Sequence, residues 1–258
     1  MVLHPKKKEK VTEAEELAGQ NDIEVGSNQG DRWTFAAALP ESGLVHTVHT
    51  GHRNQEEARI FVEKIKSNSD GTAPFFISDC WFYSEVLTSV YSELEEVPYC
   101  GRGRRPHAKR VVNPALRYAQ VHKKRNSKGK IESISTRIVL GDEQVILNEL
   151  VDAKRSKTIN TDFIESRNGK FRKDNARLIR KTLCHSKKAK YHDASIIFLS
   201  QVFNYTRCVV GLRLEINPYA SRFEQKYQNR TPAMAEGLIN KPLTIKELLF
   251  IRPISIVP

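Results

Sequence analysis

Two acidic side chains stand where phosphoryl-transfer chemistry would use them. Asp79 follows the apolar run Phe75-Phe76-Ile77, and Glu165 follows Thr158-Ile159-Asn160-Thr161 at the start of a helical pattern. A carboxylate at the C-terminal end of a sheet strand lies on the rim where open sheets present ligands. Magnesium takes hard oxygen ligands from one or two carboxylates, and two such ions can clamp an in-line displacement at phosphorus. Each acid also has a plainer reading, Asp79 as a helix N-cap and Glu165 as an anion favoured by a helix dipole.

The cations point to a polyanionic partner. Lys and Arg number 42 against 30 Asp and Glu in 258 residues, a formal net charge of +12. Each neutralised phosphate would release condensed counterions, so such an excess favours nucleic acid. No acid occurs over 97–131, which holds Arg102, Arg104, Arg105, Lys109, Arg110, Arg117, Lys123, Lys124, Arg125, Lys128 and Lys130. A second cluster comprises Arg167, Lys170, Arg172, Lys173, Arg177, Arg180 and Lys181, continuing to Lys187, Lys188 and Lys190. A single cluster could be a solvated face. Two of them, without a zinc-finger or RNA-binding motif, favour contact with the DNA backbone.

Other chemistries fit less well. No apolar run is long enough for a bilayer, and 1–10 lacks the apolar stretch of a secretory signal. Cys80, Cys100, Cys184 and Cys208 form no Cys-x-x-Cys pair or disulfide framework, so reduced thiols are expected. His46, His49 and His52 make a weak metal set, because His46 and His49 would face opposite sides of a strand. Gly101-Arg102-Gly103 is too short for a phosphate loop.

The elements that must position the acids are read from pattern. A polar segment, 1–30, combines lysines and acids. A buried strand over 32–39, turn chemistry at 40–43 and a strand over 44–50 make a hairpin. Asn54 caps a helix with Ala58, Phe61, Val62 and Ile65 inward. The run 75–77 reads as a sheet-interior strand and 81–91 as a helix, with Trp33 and Trp81 as core aromatics. After an irregular 101–106 comes a basic hairpin, 117–124 with 131–140, and then a helix over 142–152. A long helix follows Thr161, its stripe marked by Ile164, Phe171 and Leu178. Another covers 193–205. Thr231-Pro232 starts a short helix ended by Gly237, and Thr244 with Glu247 forms a capping box. The sum is an α/β sheet with flanking helices, a basic hairpin inserted at about 97–140 and a helical C-terminal tail.

Several ordered motifs are similar to one family. Residues 158–169, Thr-Ile-Asn-Thr-Asp-Phe-Ile-Glu-Ser-Arg-Asn-Gly, resemble the third-carboxylate segment of bacterial and archaeal insertion-sequence transposases related to the first-described insertion sequence. Residues 177–187 and 230–238 resemble that group's helix continuation and C-terminal motif. Asp31-Arg32-Trp33-Thr34-Phe35, residues 51–56 and Ile77-Ser78-Asp79 fit the template in order. The resemblance implies an RNase H-like catalytic domain over 31–205 and a tail over 206–258. It implies Asp79 and Glu165 as catalytic acids holding Mg2+ or Mn2+. It also implies double-stranded DNA with terminal inverted repeats as partner, a homodimer on DNA, and a cytoplasmic, nucleoid-associated protein.

The departures matter as much. The family opens with an Asp-Glu-x-Trp-Ser-Phe strand carrying the first acid, just before a lysine-rich loop. Here Lys6-Lys7-Lys8-Glu9-Lys10 follows Met1 closely, with Asp22, Glu24 and Asp31 as poor substitutes. The family's Pro-His pair is replaced after Arg207 by Cys208-Val209. A missing first acid implies lost or impaired cleavage, and a missing central strand implies a weakened sheet with unpaired inner edges. Residues 1–3 could supply only a stub. The competing reading is a catalytically inactive DNA-binding fragment that competes for element ends.

Overall fold

The computed structural model describes residues 2–3, 32–70, 72–99, 101, 104, 107–153, 156–179, 183–184, 186 and 188–251. Asp22, Glu24, Asp31, the 6–10 lysines, Cys100, Arg102, Arg105, Arg180, Lys181 and Lys187 lie outside the described residues.

In chain order the elements are β1 (Val2–Leu3), β2 (Arg32–Ala38), β3 (Val45–Gly51), α1 (Gln55–Ser67), β4 (Phe75–Ser78), α2 (Tyr83–Val90), β5 (Ser92–Glu95) and β6 (Lys109–Val112). There follow β7 (Arg117–Arg125), β8 (Ile131–Leu140), α3 (Glu143–Asp152), α4 (Asp162–Asp174), α5 (Ala189–Thr206), β9 (Leu214–Glu215), β10 (Tyr227–Gln228), α6 (Pro232–Ala235) and α7 (Ile245–Phe250). The class is mixed α/β, with a mixed sheet and several helices. No helix among the described residues is long and apolar enough to cross a membrane.

The chain divides into two compact units, one of 1–51 with 166–258 and one of 52–165. The expected 31–205 segment is therefore shared between them. In the discontinuous unit the antiparallel sheet has the order β1-β2-β3. Its turn closes because Leu39 and Gly43 bond Leu44 and Leu39 carbonyls, at 2.9 and 2.8 Å, with Gly43 at φ 68°. The core gathers Val45, Phe171, Leu178, Ile196 and Phe203. Helix α5 lies against β3, and α6 and α7 lie against α5. The side chain of Asn204 fastens α5 to the strand: its Oδ1 accepts from Val45 N at 2.9 Å and its Nδ2 donates to Val45 O at 2.8 Å. A buried strand end thus has both backbone groups satisfied.

In the 52–165 unit the sheet order is β4-β7-β8, β4 parallel to β7 and β7 antiparallel to β8. Asn54 caps α1 by accepting from Glu57 N, and Asp142 caps α3 by accepting from Gln144 N and Val145 N. Buried residues include Phe61, Val62, Leu87, Leu116, Tyr118 and Ile146.

Several expectations need correction. The basic hairpin is not an insertion appended to the sheet: β7 is the middle strand, joined to β4 by a parallel ladder. Among the described residues the apolar run before Asp79 is an edge strand, with every residue half-buried. Phe76 finds its apolar surroundings against the Tyr91 ring, centroids 6.0 Å apart, rather than between two strands. A second antiparallel ladder, β5 with β6, was not anticipated. The helix after Thr161 stops at Asp174, because Asn175 turns the chain and caps a 3-10 turn, Ala176–Leu178. Phe171 and Leu178 are nevertheless buried, while Ile164 is half-buried. The C-terminal region is not purely helical, since β9 and β10 form an antiparallel ribbon. Trp81 is 73% exposed rather than in the core, and Trp33 is half-buried. Among the described residues the hairpin and the Asp79 strand lie in separate three-stranded sheets, and Val2–Leu3 pair with β2.

Candidate carboxylate and nucleic-acid-binding site

Asp79 is held out to solvent by a buried tyrosine. The Tyr118 hydroxyl donates to Cys80 O at 3.0 Å, so it accepts from Ser78 Oγ at 2.8 Å. The chain is thereby fixed on both sides of Asp79, which is exposed. Burial raises the Tyr83 and Tyr118 hydroxyl pKa values, with the charge of Asp79 a smaller contribution in the same direction. The N-cap of α2 is Phe82, with no side-chain bond, so Asp79 does not cap that helix.

Glu165 is built by the loop before α4. Asn160 Nδ2 donates to Thr158 O at 3.0 Å, and Asn160 Oδ1 accepts from Asp162 N at 3.1 Å, which shapes the helix entrance. Thr161 is buried, and its hydroxyl donates to Glu165 Oε1 at 3.0 Å. Lys123 Nζ donates to Thr161 Oγ1 at 2.8 Å and forms an ion pair with the same Glu165 oxygen. The lysine's hydrogen bond, opposed by desolvation and supported by Thr161, holds the Glu165 carboxyl below its ordinary 4.5. Glu165 is thus an anion satisfied by a lysine and a hydroxyl, partners other than the helix dipole of the plainer reading.

The parallel ladder ends at Ser78 opposite Gln120. Asp79 follows the last rung of that ladder, and Lys123 lies three residues beyond Gln120 on β7, about 10 Å along the strand. Strand alternation gives Ile77, Ala119, Val121 and Lys123 one face of the sheet. Asp79 thus follows the C-terminal end of β4, and Glu165 is tied through Lys123 to the C-terminal part of β7. Their electrostatic neighbours differ: Lys123 and Arg125 act on Glu165, whereas Asp79 acts on Tyr83 and Tyr118. No group of three or more His, Cys, Asp or Glu able to hold a metal gathers among the described residues. With Glu165 already bound to an ammonium and a hydroxyl, the described residues alone do not fit a two-ion centre.

The expected DNA-binding cations have different fates. Arg104, Lys109, Arg110, Lys124, Arg125, Lys170, Arg172 and Arg177 are exposed. Lys123 is committed to Glu165. Arg167 is turned inward: it is 8% exposed, its guanidinium lies 3.6 Å from the Phe203 ring centroid, and its Nε and Nη1 are buried without hydrogen-bond partners. Burial lowers its pKa to about 10. An added Cβ at Gly43 would meet Arg167 Nη2 at 2.6 Å. A side chain so enclosed does not reach a phosphate.

The triangle of Lys123, Thr161 and Glu165 was not foreseen as a unit. Lys123 is 38 and 42 residues from Thr161 and Glu165, so no local spacing announces its joining them. Compared with known proteins, the chain matches no family model, no curated protein and no solved structure.

Proposed function

We propose that this chain is a double-stranded-DNA-binding protein, related to the insertion-sequence DDE transposases that its motifs resemble, and that it binds DNA without two-metal cleavage. The observation that carries the reading is the charge distribution. The acid-free stretch 97–131 leaves Lys109, Arg110, Lys124, Arg125, Lys128 and Lys130 exposed. An RNase H-like origin is supported by the start of the element order: an antiparallel hairpin, a helix, then strand β4 with an acid at its end. The acid on the helix after this sheet, Glu165, supports the same origin, and its ion pair with Lys123 supports loss of metal chemistry.

The test is fluorescence anisotropy with a labelled mixed-sequence DNA duplex across salt concentrations. Affinity is expected to fall steeply between about 50 and 200 mM salt, with a log–log slope of about 0.9 for each phosphate neutralised. No association at the lower salt refutes the reading. A second arm incubates supercoiled DNA with Mg2+ or Mn2+, and no nicking is expected. Divalent-dependent nicking that Asp79→Ala abolishes would restore the catalytic reading, which the solvent exposure of Asp79 favours.

A further inference from the structure

We infer that the distal half of the β7–β8 hairpin is a two-stranded arm that enters the major groove of double-stranded DNA; this rests on the DNA-binding reading above. Among the described residues strand β4 pairs with Arg117–Gln120, and beyond Gln120 the described ladder consists of β7 and β8. From Val121 to Arg125 this extends about 13 Å before the turn. Every residue over 124–137 is exposed. The tip is tightly built, with Asn126 Oδ1 accepting from Lys128 N and Lys130 N, both at 3.0 Å, and Gly129 at φ 77°.

The two faces of the arm differ. The register places His122 opposite Ser135, Lys124 opposite Ser133 and Gln120 opposite Arg137, a face made only of hydrogen-bonding side chains. The other face pairs Lys123, already committed to Glu165, with the exposed Ile134. Over 97–137 the one acid is Glu132, paired with Lys124 at 3.2 Å. B-DNA's major groove, about 12 Å wide and about 8.5 Å deep, admits a two-stranded ribbon, whereas the deep, narrow major groove of A-form RNA does not. Arg125, Lys128 and Lys130 at the tip and edges meet the flanking phosphates, and His122, Ser135 and Arg137 face the base edges.

The experiment uses the full chain and three probes: a plain duplex, the same duplex with glucosylated 5-hydroxymethylcytosine filling its major groove, and an RNA duplex of the same sequence. The wild type is expected to bind the glucosylated and RNA duplexes at least about tenfold more weakly than plain DNA. The tip variant Arg125→Ala/Lys128→Ala/Lys130→Ala should lower the salt slope by about 2 to 3. The face variant His122→Val/Arg137→Val should bind plain and glucosylated DNA with nearly equal affinity. Circular dichroism melts establish that both variants fold. Equal wild-type affinity for plain and glucosylated DNA, or for DNA and RNA, overturns the arm while leaving nucleic-acid binding intact. An unchanged slope in the tip variant overturns it as well. Failure of the wild type to bind any duplex removes both the arm and the reading beneath it.

Discussion

At the residue scale, Asn204 and Arg167 show opposite outcomes of burying a polar group. Asn204 meets both backbone groups of Val45 and leaves neither of them orphaned. Replacing Asn204 by Ala would strand a buried donor and a buried acceptor, each costing about 1–3 kcal/mol. Urea denaturation should therefore show a large loss of stability with an unchanged m-value. Arg167 has no such compensation: it packs on Phe203 while two of its nitrogens lack acceptors. Arg167→Met keeps an unbranched side chain against the ring and removes the desolvated charge. Its stability should equal or exceed the wild type by on the order of 1 kcal/mol. Its affinity for a DNA duplex should be unchanged, in contrast to the loss expected if this guanidinium contacted phosphate.

At the scale of elements, the first turn of α4 is joined to β7 by the ion pair of Glu165 and Lys123. Because the Glu165 pKa is lowered in the folded chain, its contribution to stability is present above the unfolded value near 4.5. That contribution is lost as pH falls through the lower, folded value. Glu165→Gln cannot take up this proton. Thermal melts between neutral pH and about pH 3 should show a steeper acid decline for the wild type than for Glu165→Gln. Identical acid slopes would show that the pair does not influence folding. The same pair bears on chemistry, since a cation entering at Glu165 must compete with a lysine held by both Thr161 and the carboxylate.

At the scale of the whole molecule, what was legible in the sequence was local. Asn54, Asp142, Thr231 and Thr244 each cap a helix through a neighbour two or three residues away, and their helices begin where those residues indicate. The expected hairpin of 117–124 with 131–140 is likewise the β7–β8 pair. Contacts distant in the chain were not legible. The parallel pairing of β4 with β7 has no turn to mark it, so β7 read as part of an insertion. The acidic β5 gave no apolar alternation by which to foresee its pairing with the basic β6. Arg167 sits in a run of cations that reads as a solvated face, yet the Phe203 ring and the turn at Gly43 enclose it. Of the two acids, the strand-end position of Asp79 was readable, whereas the lysine that neutralises Glu165 became visible only in three dimensions.

The interrupted composition of the first unit also orders its assembly during synthesis. The 52–165 unit leaves the ribosome as one uninterrupted stretch and can acquire its structure while the remainder is still being translated. Val45 must wait for Phe171, Leu178, Ile196 and Phe203, all made more than a hundred residues later, before its side chain has a core to join. Until then the nascent β2–β3 segment lacks the residues that cover Val45.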